Sequence, residues 1–251
     1  MSVTSQEIAA ELKRLIPRNP PAVLVHSSLS SFGHVEGGAE SVIAALKELC
    51  AGGTLLMPTL SFASIDEASP VFDVIATKSD TGRITEVFRT QPGVLRSRHI
   101  VSSAAAWGAC ARAVTAGHLD TPCGPDSPYR RLIELDGFVL FLGACFRSNT
   151  LFHCAEEAVS PAYLRYHTFR GAQVICADGS VLVHDFRRYD CSQMGITRHL
   201  YKMERIFRSR GAVVDAHIGP CPVMLISARE NFAISCALLR DDPDYILQED
   251  A

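Results

Sequence analysis

An α/β fold organised around a buried sheet is predicted by three features of this 251-residue sequence. Ala22-Val23-Leu24-Val25-His26 and Phe138-Val139-Leu140-Phe141-Leu142-Gly143 are short continuous apolar runs, the pattern of strands covered on both faces. The first run is followed by a helical period from Ala39 to Leu49, a Gly52-Gly53 stop and a second run, Thr54 to Thr59. Strand, helix and strand in that order make a β-α-β unit with a right-handed crossover. Third, Val174 to Val183 is two apolar runs about Asp178-Gly179, the signal of a hairpin.

The remaining elements follow in chain order. Ile8, Leu12, Leu15 and Ile16 share one helical stripe that Ser5 can cap and that Pro17, Pro20 and Pro21 stop. Residues 60–82 hold no sustained period, contain Pro70 and carry Asp66, Glu67, Asp73 and Asp80. A loop of that length either places carboxylates over a pocket or is a solvated excursion. A helix from Thr85 to Thr90 precedes Pro92-Gly93, and Ser102 and Ser103 open a segment of small residues that runs to Trp107. Loop chemistry at Asp120 to Pro128 leads to a short helix ending near Asp136-Gly137. Beyond the hairpin come a helix from Cys191 to Ser209, strands near Ala212 to Asp215 and Val223 to Ser227, and a helix from Arg229 to Leu239. No linker divides the chain, so a single domain over residues 1–251 is expected, with an acidic, partly ordered tail.

Composition excludes several classes of function. Apolar residues make up 47% of the chain, enough for a substantial core, and the net charge of −3 comes without a run of Lys or Arg, which disfavours a nucleic-acid partner. The N-terminus lacks the pattern of a signal peptide and no apolar run approaches the roughly 20 residues of a membrane span, so a cytoplasmic protein is expected. Nine cysteines form no Cys-x-x-Cys pair. They read as reduced thiols in apolar segments, and no metal site is expected.

Two stretches carry chemistry. Asn149-Thr150-Leu151-Phe152-His153-Cys154-Ala155-Glu156-Glu157, as a helix capped by Asn149, sets His153 one turn before Glu156. A histidine held by a carboxylate keeps one tautomer and gains basicity, as a general base requires. The plain alternative is a structural histidine beside two solvated glutamates. The Ser/Gly-rich loop from Ser27 to Gly38, between strand and helix, offers amides and hydroxyls to phosphate oxygens, or is a mere connection. It matches neither the Walker nor the dinucleotide-binding glycine pattern.

Val25-His26-Ser27-Ser28-Leu29-Ser30-Ser31-Phe32-Gly33, Gly82-Arg83-Ile84-Thr85-Glu86 through Arg96-Ser97, Asp126-Ser127-Pro128 and Asn149 to Glu156 together resemble the aminoglycoside 3-N-acetyltransferase family. The resemblance runs from about residue 20 to the final helix. It implies a three-layer α/β/α sandwich around a central mixed sheet, distinct from the commoner acetyltransferase superfamily. It also implies acetyl-coenzyme A as co-substrate and a small-molecule amine as acceptor. By the same resemblance His153 and Glu156 are the catalytic pair. Ser28, Leu29 and Ser30 line the pyrophosphate, and Thr59, Ser103 and Ala104 lie along the pantetheine arm. Glu157, Asp66, Asp73 and Asp126 are candidates to hold further ammonium groups of the acceptor. The chain departs from the family where His99 is followed by Ile100 rather than proline, and where Ser102 stands at a position at which a second histidine is common. Acceptor loops redirect specificity within a family, so drug resistance does not follow.

Two rivals stand beside this reading. One is a covalent route with Cys154 or Cys145 as nucleophile, the other a coenzyme-binding homologue without catalysis. Oligomeric state, a homodimer included, is left open.

Overall fold

The computed structural model describes residues 2–17, 19–191 and 195–247. In chain order its elements are β1 (Ser2–Val3), α1 (Ser5–Leu15), β2 (Ala22–Ser27), β3 (His34–Val35), α2 (Gly38–Leu49), β4 (Thr54–Pro58), β5 (Val71–Asp73), α3 (Arg83–Arg89), β6 (Leu95–Arg96) and β7 (Ala104–Gly108). There follow α4 (Ala111–Thr115), α5 (Pro128–Glu134), β8 (Phe138–Leu142), α6 (Phe152–Val159), β9 (Tyr166–Ile175), β10 (Val181–Tyr189), α7 (Met203–Ser209), β11 (Val214–Ile218), β12 (Cys221–Ser227) and α8 (Ala228–Asp241).

A seven-stranded sheet of order β11-β12-β8-β2-β4-β7-β6 forms the middle layer. Its pairs β8/β2 and β2/β4 are parallel and the rest antiparallel, so the sheet is mixed, with β2 at its centre. Alternation along the strands makes the layers. Val23, Val25, Leu55, Met57, Leu140 and Leu142 face one side, where α1, α2 and α3 bring Ile8, Leu12, Ile43, Leu46 and Phe88. Leu24, Leu56, Val139 and Phe141 face the other, against Leu132 of α5, Phe152 of α6, Phe207 of α7 and Leu239 of α8. A strand covered on both faces can be apolar throughout, which is why these runs show no period of two.

A second sheet, β10-β9-β5, lies apart with its own small core of Phe72, Phe169, Val174 and Phe186. Its hairpin turns at Asp178-Gly179 as expected. Asp178 accepts from the Ser180 amide and hydroxyl, and Gly179 takes φ +81°. The loop over 60–82 contributes β5, which adds in parallel to β9. A stretch without helical period thus borrows its order from a neighbouring strand.

Three expectations are corrected. The cap of α1 is Thr4, not Ser5: Thr4 is extended and completes a capping box with Glu7. The helix expected from Cys191 runs only over Met203–Ser209, after a 3₁₀ turn at Leu200–Lys202, and residues 192–194 of that stretch lie outside the described residues. Gly195, at φ +72°, is incompatible with a right-handed helix there, and Arg198 is drawn toward α6 instead. Asn149 does not cap α6. Leu151 occupies the cap position without a side-chain bond, and the wholly buried Asn149 amide exchanges hydrogen bonds of 3.3 and 3.2 Å with Asn231 of α8. Pairing two buried amides satisfies both, an arrangement only the tertiary approach of α6 and α8 permits.

The cysteines are all free, and six of them are buried, in keeping with reduced thiols. Among the described residues no helix is long and apolar enough to cross a membrane.

Candidate active site

β8 delivers the chain through a 3₁₀ turn at Phe146–Ser148 into α6, so His153 stands just beyond the end of a central strand. Ligands gather at such strand ends in α/β sheets. His153 donates from Nδ1 to Oε2 of Glu156, one turn along the helix. That carboxylate is completely buried and has two further donors: Tyr163 Oη at 2.7 Å on Oε1, and Arg198 Nη1 at 2.9 Å on Oε2. Burial pushes the Glu156 carboxyl up. The facing His153 ring, the Arg198 charge and the Tyr163 hydroxyl outweigh it and hold the group below its ordinary value. Glu156 therefore stays ionised, and its bond with Nδ1 leaves Nε2 as the nitrogen His153 can turn to a substrate.

The imidazole packs beside Tyr189, with ring centroids 5.1 Å apart, and lines two cavities at once. The first, of about 420 Å³, is walled by Ser102, Tyr129, Arg188, Tyr189, Asp190 and Arg198. The second, of about 360 Å³, runs past His26, Ser27, Pro58, Thr81, Thr85 and Arg147. Leu60, Phe62, Thr150 and His153 belong to both. The second cavity thus passes from His153 to the end of β2, where Ser28, Leu29 and Ser30 begin the Ser-rich loop. Ser28 and Ser30 hydroxyls lie 3.1 Å apart on its part-open surface.

The other sequence candidates are placed differently. Thr59, Ser103 and Ala104 are wholly buried. The Thr59 and Ser103 hydroxyls bond each other at 3.0 Å and both accept from Arg96 Nε, while their chain neighbours Leu60 and Ser102 reach the cavities. Glu157 points inward to the loop before α5, accepting from Tyr189 Oη at 2.7 Å, from the Cys123 amide at 2.8 Å and from Thr121 Oγ1. Asp66 and Asp73 bond amides of their own turns, and Asp126 lies near Arg131 at the surface. None of the four lines either His153 cavity. Sequence reasoning did not find Arg198, Tyr163, Tyr189 or Asp190. Tyr163 comes from the turn just after α6, Tyr189 from the end of β10, and Asp190 and Arg198 from the return of the chain beyond it, so only the folded chain gathers them at His153. His99, at the family departure, is buried: its Nε2 bonds the Arg187 carbonyl at 3.0 Å and its Nδ1 accepts from the Ser102 amide at 3.0 Å, so it shapes the Val101-Ser102 wall.

The family model described as aminoglycoside 3-N-acetyltransferase matches residues 24–240. The chain belongs to this family. It is accordingly an N-acetyltransferase. Aminoglycoside N(3)-acetyltransferase VII of Streptomyces paromomycinus is 35% identical over 207 residues, which cover 75% of this chain and 71% of the relative. Among solved structures, AAC-IIIb in a binary complex with CoASH superposes with a TM-score of 0.84 at 27% identity, covering 96% of this chain and 97% of the other. A variant of the aminoglycoside acetyltransferase AAC(3)-IVa in complex with a gentamicin gives 0.82 at 28%, covering 99% and 93%.

Acid should loosen the acetyltransferase fold around this site. Burial pushes His26 down to about 3, His118 down to about 4 and His99 well below the ordinary value of 6.5. Above pH 6.5 these histidines are neutral folded or unfolded, and their burial carries no proton penalty. Below it the unfolded chain takes up protons that the folded one refuses, so stability falls as pH drops from 6.5 toward 4, by up to about 1.4 kcal/mol per pH unit for each histidine. Glu156, held low, adds its loss only below the ordinary 4.5. Urea midpoints at pH 7.5, 6.0 and 5.0 should decline steadily, whereas a flat profile would contradict the neutral burial of this trio.

Proposed function

We propose that this chain moves the acetyl group of acetyl-coenzyme A to an amine of an aminoglycoside or related amino sugar, by direct attack with His153 as general base. The observation that carries the reading is the place of His153 on the wall common to two cavities, with Glu156 behind it. A two-substrate transfer needs one base within reach of both reactants. The named neighbours add that this fold accommodates CoASH in one protein and a gentamicin in another.

In this reading the second cavity takes the pantetheine arm, and the residues present suit it. The passage is apolar beside Val25, Pro58 and Leu60, and reaches Ser27, next to the Ser28-Leu29-Ser30 loop. There Arg147, held 4.8 Å over the Tyr201 ring, gives a cation for the coenzyme's phosphates. Thr59, Ser103 and Ala104 act from behind, fixing the wall that Leu60 and Ser102 present. The coenzyme supplies an acetyl group activated as a thioester. The chain's own work is to hold the amine in the first cavity, where the wall carboxylate is Asp190, and to take its proton on His153 Nε2 as nitrogen bonds to the acetyl carbon. The same proton then goes to the departing sulfur as the carbon–sulfur bond breaks. Asp66, Asp73, Asp126 and Glu157 contribute to this scheme through loop architecture rather than by touching the amine.

A thiol-release assay with acetyl-coenzyme A across aminoglycosides and simpler amino sugars tests the proposal. Amine-dependent release is expected. Coenzyme binding by calorimetry with no release for any amine would instead make the chain a binding protein. A covalent route is tested separately. Cys154 is buried, Cys145 is at the surface, and neither lines either of the two His153 cavities. Adjacent helical residues also point about 100° apart, which keeps Cys154 from His153. Cys154→Ser should retain turnover within about twofold, since no acyl-enzyme forms on that sulfur.

A further inference from the structure

Away from His153, four arginines converge on a third cavity of about 490 Å³. Arg89 comes from the end of α3, Arg96 and Arg98 from the edge strand β6 and the residues after it, and Arg112 from α4. The hairpin turn closes the space with Cys176 and Ala177, and Ile75, Val94 and Leu95 give it an apolar wall. Ile75 is 63% exposed, unusual for a large aliphatic side chain.

The charges do not cancel. Arg89 is matched by Glu86, with Nη2 and Nε each 2.6 Å from its carboxylate. Among the described residues Arg96 is buried without an ion-paired carboxylate, and it donates to the Thr59 carbonyl at 2.7 Å and to the Thr59 and Ser103 hydroxyls. Burial, with a smaller contribution from the charge of Arg89, pushes its guanidinium down to about 9, while Glu86 and Asp80 act in the opposite direction. Among the described residues the Arg98 and Arg112 guanidiniums make no hydrogen bond or ion pair. Asp73 and Asp80 accept from the amides of Ile75 and Ala76 and of Ala63, and neither forms an ion pair with Arg98 or Arg112. A concave surface on which two guanidiniums, Arg98 and Arg112, have no paired acid draws anions, and the guanidinium fork fits phosphate oxygens.

We propose that this cavity is a second ligand site, which binds a small phosphorylated molecule. Arg98 and Arg112 take the phosphate, Arg89 and Arg96 supply the field behind it, and the apolar remainder of the ligand rests on Ile75, Val94 and Leu95. The site is separate from the proposed coenzyme path. It shares no lining residue with either His153 cavity. In the sheet β6 is three strands from β2, about 14 Å at roughly 4.8 Å per strand.

The test is calorimetric titration of phenyl phosphate, inorganic phosphate and benzoate into the full chain saturated with coenzyme A at low salt. Phenyl phosphate should bind, more tightly than inorganic phosphate because of the apolar wall and more tightly than benzoate because of the two forks. Arg98→Ala/Arg112→Ala should weaken it at least about tenfold, with coenzyme affinity and thiol release unchanged. Arg112→Glu, at an exposed position, should do the same and guards against a double variant that fails to fold. No binding to the coenzyme-saturated protein, equal binding in wild type and Arg112→Glu, or benzoate binding as tightly as phenyl phosphate would each overturn the assignment. The binding result does not depend on the acetyl acceptor, since the titration contains no amine.

Discussion

His153→Ala is expected to lower turnover by at least about a hundredfold while coenzyme affinity changes little. An alkyl ammonium cannot attack a thioester until it loses its proton, and a positioned base is typically worth about 10² to 10⁴ in rate. The side chain reaches both cavities but fills neither, and its Nδ1 is already committed to Glu156. Under the proposed mechanism its removal takes away proton transfer and leaves the cavity walls of Ser27, Arg147 and Pro58 in place. Steady-state kinetics should show the loss in kcat rather than in KM for the coenzyme. The remaining activity should rise with pH, as free amine accumulates without help. Turnover within a few-fold of wild type would remove His153 from the chemistry and return it to a structural role.

Glu156→Gln should damage both activity and stability. The substitution preserves volume and lets Tyr163 keep its bond to Oε1, but it turns an acceptor facing His153 Nδ1 into an amide that can present N–H. The imidazole then takes the other tautomer, with its proton on Nε2, where the amine's proton should go. A fall in kcat of about tenfold to a hundredfold is expected, smaller than for His153→Ala because the ring remains. Arg198, largely buried, would meanwhile lose its carboxylate. Breaking a buried pair by deleting one partner typically costs about 3 to 5 kcal/mol. Denaturant unfolding should show that loss, and Arg198→Met combined with Glu156→Gln should recover part of it without recovering turnover. A stable Glu156→Gln protein with unaltered kcat would show that the triad around this carboxylate matters to neither.

The parts of the molecule that could be read from the chain are those whose causes are local. Ala22 to His26 and Phe138 to Gly143 announce central strands because they are apolar without interruption, and Asp178-Gly179 announces a turn because few other pairs accept its geometry. His153 and Glu156 could be paired because a helix fixes what lies one turn away. The neighbouring candidates fared differently for the same reason. The acidic residues Asp66, Asp73 and Glu157 have the chemistry to face a cation, yet hydrogen bonds inside their own loops or to Tyr189 and Thr121 direct them elsewhere. Asn149 has the chemistry of a cap, yet Asn231, 82 positions further on, claims it.

What the sequence determined alone was the α/β class, the β-α-β core, the family and a histidine–carboxylate pair at a strand end, all properties of segments a few residues long. What only the tertiary structure decided was the environment that gives the pair a use. It placed Arg198 and Tyr163 around Glu156, set two cavities on either side of one ring, and gathered Arg89, Arg98 and Arg112 at the far edge of the sheet. The physical reason is that helical and strand periodicity act over a turn or a pleat, whereas charge pairing, burial and cavity shape depend on which distant segments the folded chain brings within a few ångströms of one another.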